Sequence, residues 1–256
     1  MNRAFLAIAL NGFREARRNR VTLVLAFFAG LLLLSSSLIT DITVATFDRV
    51  LVDIGLGGMS FILVLLAIFL STGLLSREIE RRTIFMMVSK PVSRGVFLVG
   101  RLAGNMLTLT VLQALMVVLL IGEFVVFKTP VTRPILLAMG MLWFELLVLS
   151  AAGFLMSSFT SSMVSAFVTT SLFLVGHLSG DIYALAQRSK NAGLKALGTT
   201  VYYLLPNLER FNLRPQASYG IAVPGREWMA SGLYAVAYAA VLVWMAMAAF
   251  KRRDFR

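Results

Sequence analysis

SREIERRTIFMMVSKPVSRGVFLVGR, residues 76–101, stands between two long apolar runs and cannot share their surroundings. Arg, Glu and Lys at this density are excluded from hydrocarbon, so the stretch lies in water between two membrane-crossing helices. Its charge is mostly positive, which places it on the cytoplasmic side.

The rest of the chain agrees with a membrane setting. It is 59% hydrophobic over 256 residues, with a mean hydropathy of +0.84, well above the roughly 45–50% apolar usage of soluble domains. The formal charge is +12, but the cations gather at the ends of apolar runs. That arrangement reads as topology and lipid-headgroup contact, and nucleic acid is not expected as a partner. There are no cysteines, so disulfides, thiolate metal sites and cysteine nucleophiles are excluded.

A crossing helix needs about 20 mostly apolar residues. Six stretches qualify: 21–39, 56–75, 102–124, 135–156, 163–178 and 229–250. The fifth is short and is expected to borrow the Ser/Thr-rich residues before it, whose hydroxyls bond back to helix carbonyls. Orientation follows from the short flanks. One side holds Arg3, Arg14, Arg17, Arg18 and Arg20, six cations from Arg77 to Arg101, and Lys251, Arg252, Arg253 and Arg256. The other has Arg49, Lys128 and Arg133. Fifteen against three puts both termini in the cytoplasm.

Residues 1–20 form no convincing signal peptide: the apolar core is short, and four arginines follow it in place of a small-residue cleavage site. Residues 4–18 read as a basic amphipathic helix on the inner membrane surface; a plain charged flank is the other reading. Residues 179–228 make a long outer segment. A helix is expected over 181–197, Pro206 ends the apolar 201–205 stretch, and short helices dip toward the outer leaflet. The whole is one transmembrane domain, all-α, with no internal repeat.

Residues 76–89 have a charged half (Arg77, Glu78, Glu80, Arg81, Arg82) and an apolar half (Ile84, Phe85, Met86, Met87, Val88). Pro91 stops any helix there, and Ser93 suits the cap of the next. An ordinary topology loop needs only the charge. A short helix with an apolar knob suits docking into a partner's groove.

These residues carry a family resemblance. REIERRTIFMMVSKPVSR is similar to the first cytoplasmic loop of ABC-2-type transporter permeases, especially the branch containing the membrane subunit of the nitrous-oxide-reductase maturation transporter. LLPNLERFN (204–212) and FKRRDF (250–255) resemble the same branch. The resemblance implies a homodimer of six-span subunits in the bacterial inner membrane, with an ATPase subunit beneath each copy. It implies that the loop is a coupling helix, seated in the ATPase through Arg77, Glu78, Glu80, Arg81, Arg82, Thr83 and Lys90 and ended by Pro91. The turn at 157–162 would be a second contact, and re-entrant helices would fall within 179–228. ATP and Mg would sit on the partner; no cofactor or metal is expected on this chain.

The sequence agrees that the nucleotide belongs elsewhere. A phosphate-cradling loop needs Gly-x-x-x-x-Gly-Lys-Ser/Thr. The nearest approach, GLKALGTT at 193–200, has Thr199 where the lysine must be. Polar groups inside spans are functional candidates because burying them is costly. Glu145 is expected to touch substrate, another span or a dimer mate. His177 and Asp181 are four apart, so a helix puts them on one face, as an interface cap. Asn105 and Gln113 suit hydrogen bonds between helices, and the pairs Gly100/Gly104 and Gly176/Gly180 suit close packing. The thirteen methionines show no clustered spacing and read as flexible packing.

The expectation is a permease subunit that passes ATP-driven motion from a partner to its spans, an exporter with no catalytic residue of its own. Mechanotransmission to a periplasmic protein is the alternative, followed by an ion-coupled carrier or an intramembrane enzyme. The enzyme reading lacks a nucleophile–base pair or paired aspartates within a span.

Overall fold

The computed structural model describes residues 6, 10, 21–42, 46–80 and 94–252. Every regular element among them is helical: α1 (Val21–Ile42), α2 (Phe47–Glu80), α3 (Arg94–Val126), α4 (Arg133–Ser157), α5 (Ser162–Arg188), α6 (Ala192–Leu204), a 3-10 turn (Leu208–Phe211), α7 (Arg214–Tyr219) and α8 (Gly225–Arg252). Five of these are long and apolar enough to cross a membrane: α2, α3, α4, α5 and α8. The first helix carries a shorter apolar stretch, Leu23–Ser37. The amphipathic helix expected near the N-terminus lies outside the described residues, apart from Leu6 and Leu10, which are exposed.

Helix α4 organises the bundle, since it touches α2, α3, α5, α7, α8 and the 3-10 turn. Its apolar residues are spread around the whole circumference, as a helix packed on every side requires. Val148, Leu149, Ala151 and Phe154 are fully buried on it. Pro134 sits in its first turn, where the missing N–H costs no hydrogen bond.

Polar side chains fasten α3 to α4. Asn105 Nδ2 donates to Ser150 Oγ (3.3 Å), Trp143 Nε1 to Thr110 Oγ1 (2.8 Å) and Gln113 Nε2 to the Met139 carbonyl (2.5 Å). The α3 positions rise while the α4 positions fall, the signature of an antiparallel seam. Asn105 and Gln113 thus make the interhelical bonds expected of them. At the end of α2 that leads to residue 80, Thr72 is similarly engaged. Its carbonyl accepts from Ser157 (3.3 Å) and from Ser162 (3.5 Å), on either side of the turn between α4 and α5.

Several boundaries differ from expectation. Helix α2 begins at Phe47, ahead of the span expected from residue 56, and so includes Asp48, Arg49 and Asp53. Tertiary partners make this possible: Asp48 Oδ1 accepts from Thr129 Oγ1 (2.6 Å), and the Arg49 guanidinium lies 5.3 Å from the Tyr219 ring. At its other end α2 continues through Ser76–Glu80, so the charged stretch begins as an extension of the span. Helix α3 starts at Arg94, and Arg101 is buried within it, 4% exposed, rather than flanking it in water. Helix α5 gains its length from residues 179–188 rather than from the serines before it. The helix expected over 181–197 is therefore split: α5 ends at Arg188, and α6 restarts after Asn191, whose side chain caps the Gly193 N–H at 2.8 Å.

The segment after α6 folds back into the bundle. Leu208, Phe211, Leu213 and Ala217 are all buried. The Asn207 N–H donates to the Tyr234 hydroxyl (3.0 Å), and the Tyr238 hydroxyl donates to the Leu204 carbonyl (2.9 Å). Gly176 receives this insertion: a Cβ there would meet Leu208 and the Pro206 carbonyl at 2.8 Å. Gly180, its expected packing companion, faces open space. Helix α7 then ends on Gly220 in the left-handed conformation (φ 67°), where the Ile221 N–H reaches the Gln216 carbonyl at 2.9 Å.

Candidate functional site

Two places in the molecule hold the residues singled out from the sequence. One is the charged segment between α2 and α3. Arg77, Glu78 and Glu80 occupy the last turns of α2. Arg81, Arg82, Thr83, Lys90 and Pro91 lie outside the described residues, as do the apolar knob and Ser93.

The other is a polar cleft where α2, α4 and residues 206–214 meet. Its polar walls are Ser60, Glu145, Asn212 and Arg214, set among apolar side chains that include Met59, Leu142 and Phe211. Glu145 is 3% exposed, and its Oε1 is fully buried without a hydrogen-bond partner. The nearest group of opposite potential charge is His177, Nε2 to Oε1 3.6 Å. The ring of His177 rests on Phe173 (centroids 4.6 Å), and its Nδ1 lies 3.1 Å from the Phe173 carbonyl. Arg214 sits across the cleft. Its Nε donates to Asn212 Oδ1 (3.0 Å), and the Asn212 amide donates to Glu209 Oε1 (3.0 Å). A Cβ on Gly57 would lie 3.3 Å from Arg214 Nη1, so this arginine is laid along α2.

The sequence placed His177 with Asp181 on helical spacing. The structure separates them in role. His177 turns to Glu145 on α4, whereas Asp181 is exposed and has no polar partner among the described residues. Glu145 thus faces a side chain of another span. Asn212 closes the quoted LLPNLERFN stretch but was given no role, and Arg214, two residues beyond it, escaped notice in a segment with no hydropathy signal. Glu123 escaped too: it is 8% exposed near the end of α3, with Ser36 of α1 beside it. No group of three or more metal-ligating side chains occurs among the described residues. The GLKALGTT segment forms part of α6, a continuous helix instead of a loop able to wrap phosphate.

No curated protein matches the sequence. A family model, ABC-2 family transporter protein, matches residues 6–255. That match spans nearly the entire chain, including every long apolar helix and both polar sites, and so the protein belongs to the ABC-2 transporter family as a membrane permease subunit.

Proposed function

We propose that this permease is the membrane half of an ATP-driven exporter, paired with a second identical copy and carrying a separate ATPase beneath each. In this reading α1 is the sixth crossing helix, and both termini and the 76–93 segment face the cytoplasm of a bacterial inner membrane. Helix α6 and the 206–214 insertion face outward, the insertion re-entering the outer leaflet. The ATPase holds the nucleotide and magnesium; this chain transmits motion.

The observation that carries the proposal is the continuity of α2 from Phe47 to Glu80. A helix is stiff along its axis, so force on Glu78 or Glu80 reaches Thr72 without an intervening hinge loop. Thr72 is hydrogen-bonded to Ser157 and Ser162, which brings the α4–α5 turn along with it. A push at the charged segment is thereby delivered to three helices at once. That supports a lever driven from outside the membrane.

Copurification with the ATPase tests it. Changing Glu80, Arg81 and Arg82 together to Ala should weaken the complex at least tenfold, roughly 1.4 kcal/mol, while the permease keeps its unfolding temperature. Undiminished recovery of the ATPase with the triple variant would rule out the lever.

A further inference from the structure

Glu145 and His177 face each other across the α4–α5 contact, and their hydrogen bonding does not close unless a proton lies between them. We infer that the pair is a proton-binding site in the middle of the bundle, with one proton between Glu145 Oε1 and His177 Nε2 joining α4 to α5. The site stands on geometry, and its use in a transport cycle rests on the reading above.

The hydrogen atoms of His177 are fixed by its surroundings. The Phe173 carbonyl can only accept, so Nδ1, 3.1 Å away, carries a hydrogen. In a neutral ring Nε2 is then a bare acceptor, and it faces Glu145 Oε1 at 3.6 Å. With no proton between them, two lone pairs oppose each other. Oε1 is also buried and without a hydrogen-bond partner among the described residues, an unfavourable state for a carboxylate oxygen. One added proton removes both faults. On Oε1 it makes a neutral carboxyl that donates to Nε2; on Nε2 it makes an imidazolium paired with a carboxylate. Either way the pair is neutral overall and holds one shared proton, which belongs to both residues together.

The neighbours supply no substitute. The charged groups that act on the pair are Arg214, at the start of α7, and Glu209, in the 3-10 turn. Their charges are opposite, and Asn212 links them: it accepts from Arg214 Nε (3.0 Å) and donates to Glu209 Oε1 (3.0 Å). On α2 the polar group beside Glu145 is Ser60, which carries no charge. Helices α3, α6 and α8 bring no charge to bear on either residue. Asp181, one turn beyond His177 on α5, is exposed.

The α4–α5 contact is therefore conditional on the proton. If the helices part, water solvates the carboxylate and the shared proton passes to solvent. Above neutral pH that leaves a carboxylate and a mostly neutral imidazole. Opening releases one proton, and closing takes one up. The α4–α5 turn is bonded to Thr72 on α2, so a push that spreads these helices works against this joint.

Two measurements on the detergent-solubilised full chain test the site. The chain holds one histidine, so isotope-labelled histidine gives nitrogen NMR signals from His177 alone. Nδ1 should read as protonated and Nε2 as sharing a proton, with neither titrating near the value of about 6.5 usual for an unpaired histidine. In Glu145→Leu the Nε2 signal should move to that of a bare acceptor. Unfolding as a function of pH is the second readout. The unfolded chain loses its histidine proton above about pH 6.5, whereas the folded pair keeps its own. Unfolding then releases a proton, and the folding constant should fall by about tenfold per pH unit through the range above neutrality. Glu145→Gln preserves the shape, and its amide donates to Nε2 with no added proton, so its profile should be flatter by that amount. Glu227→Gln, at the exposed start of α8, should follow the parent. A histidine that titrates as an unpaired one, an Nε2 signal indifferent to Glu145→Leu, or equal pH slopes for the parent and Glu145→Gln would each overturn the site. No ATPase takes part, so failure here leaves the lever untouched, and loss of the lever leaves the proton site intact.

Discussion

Gly153 shows how tightly the central helix is held. A Cβ built there would collide with Ser71 Oγ and lie 2.8 Å from Ser71 Cβ. The hydroxyl can rotate away, since its bond to the Ile68 carbonyl (3.0 Å) is local, but a Cβ cannot. One of the two helices must therefore move. Gly122 on α3 is a fair control, with nothing within 4 Å of its Cβ position. Gly153→Ala should cost about 1–3 kcal/mol through overpacking, whereas Gly122→Ala should be neutral or slightly stabilising because alanine is the better helix former. Unfolding temperatures in detergent compare them, and Ser71→Gly should recover much of the Gly153→Ala loss. Equal values for the two alanine variants would mean that α2 and α4 are not in contact at this point.

Elements are joined by bonds that hydropathy cannot display. The Asn105–Ser150, Thr110–Trp143 and Gln113–Met139 contacts form one seam between α3 and α4. Interhelical hydrogen bonds in membranes average about 0.6 kcal/mol, so Asn105→Leu, Thr110→Val and Gln113→Leu together should cost about 2 kcal/mol. The variant with Thr110→Val alone should shift Trp143 emission, because the indole N–H loses its partner. An unchanged spectrum would place that indole elsewhere. The polar residues of this seam were readable from sequence, since an amide inside a span has few other uses. The helix ends were not. Asp48, Arg49 and Asp53 lower the hydropathy of the start of α2, and only Thr129 and Tyr219, far along the chain, reveal why they remain helical. The cleft divides in the same way. Glu145 stood out as a carboxyl inside an apolar run, but its neighbours His177 and Arg214 come from separate elements whose approach has no local sequence mark.

For the molecule as a whole, helix length and hydrogen bonding fix which parts share a side of the membrane. Helix α5 has 27 residues, about 40 Å at 1.5 Å per residue, against a hydrocarbon thickness of about 30 Å. Its two ends must emerge on opposite faces. The first end, at the α4–α5 turn, is bonded to Thr72 on α2 through Ser157 and Ser162. The turn and the charged segment beginning at Ser76 thus lie on one side, and α6 lies on the other. Cysteine-free sequence makes this easy to test, because each introduced cysteine is the sole label. Thr160→Cys and Ser89→Cys should react alike with a membrane-impermeant maleimide, and Lys195→Cys, exposed on α6, should react oppositely. This parity holds whichever way the protein is inserted. The excess of basic residues adds the direction: Lys195→Cys labels in intact cells, and the other two only after permeabilisation. Labelling of all three from one side would contradict the crossing of α5, whereas opposed labelling with the sides exchanged would preserve the bundle and remove the cytoplasmic seat an ATPase needs.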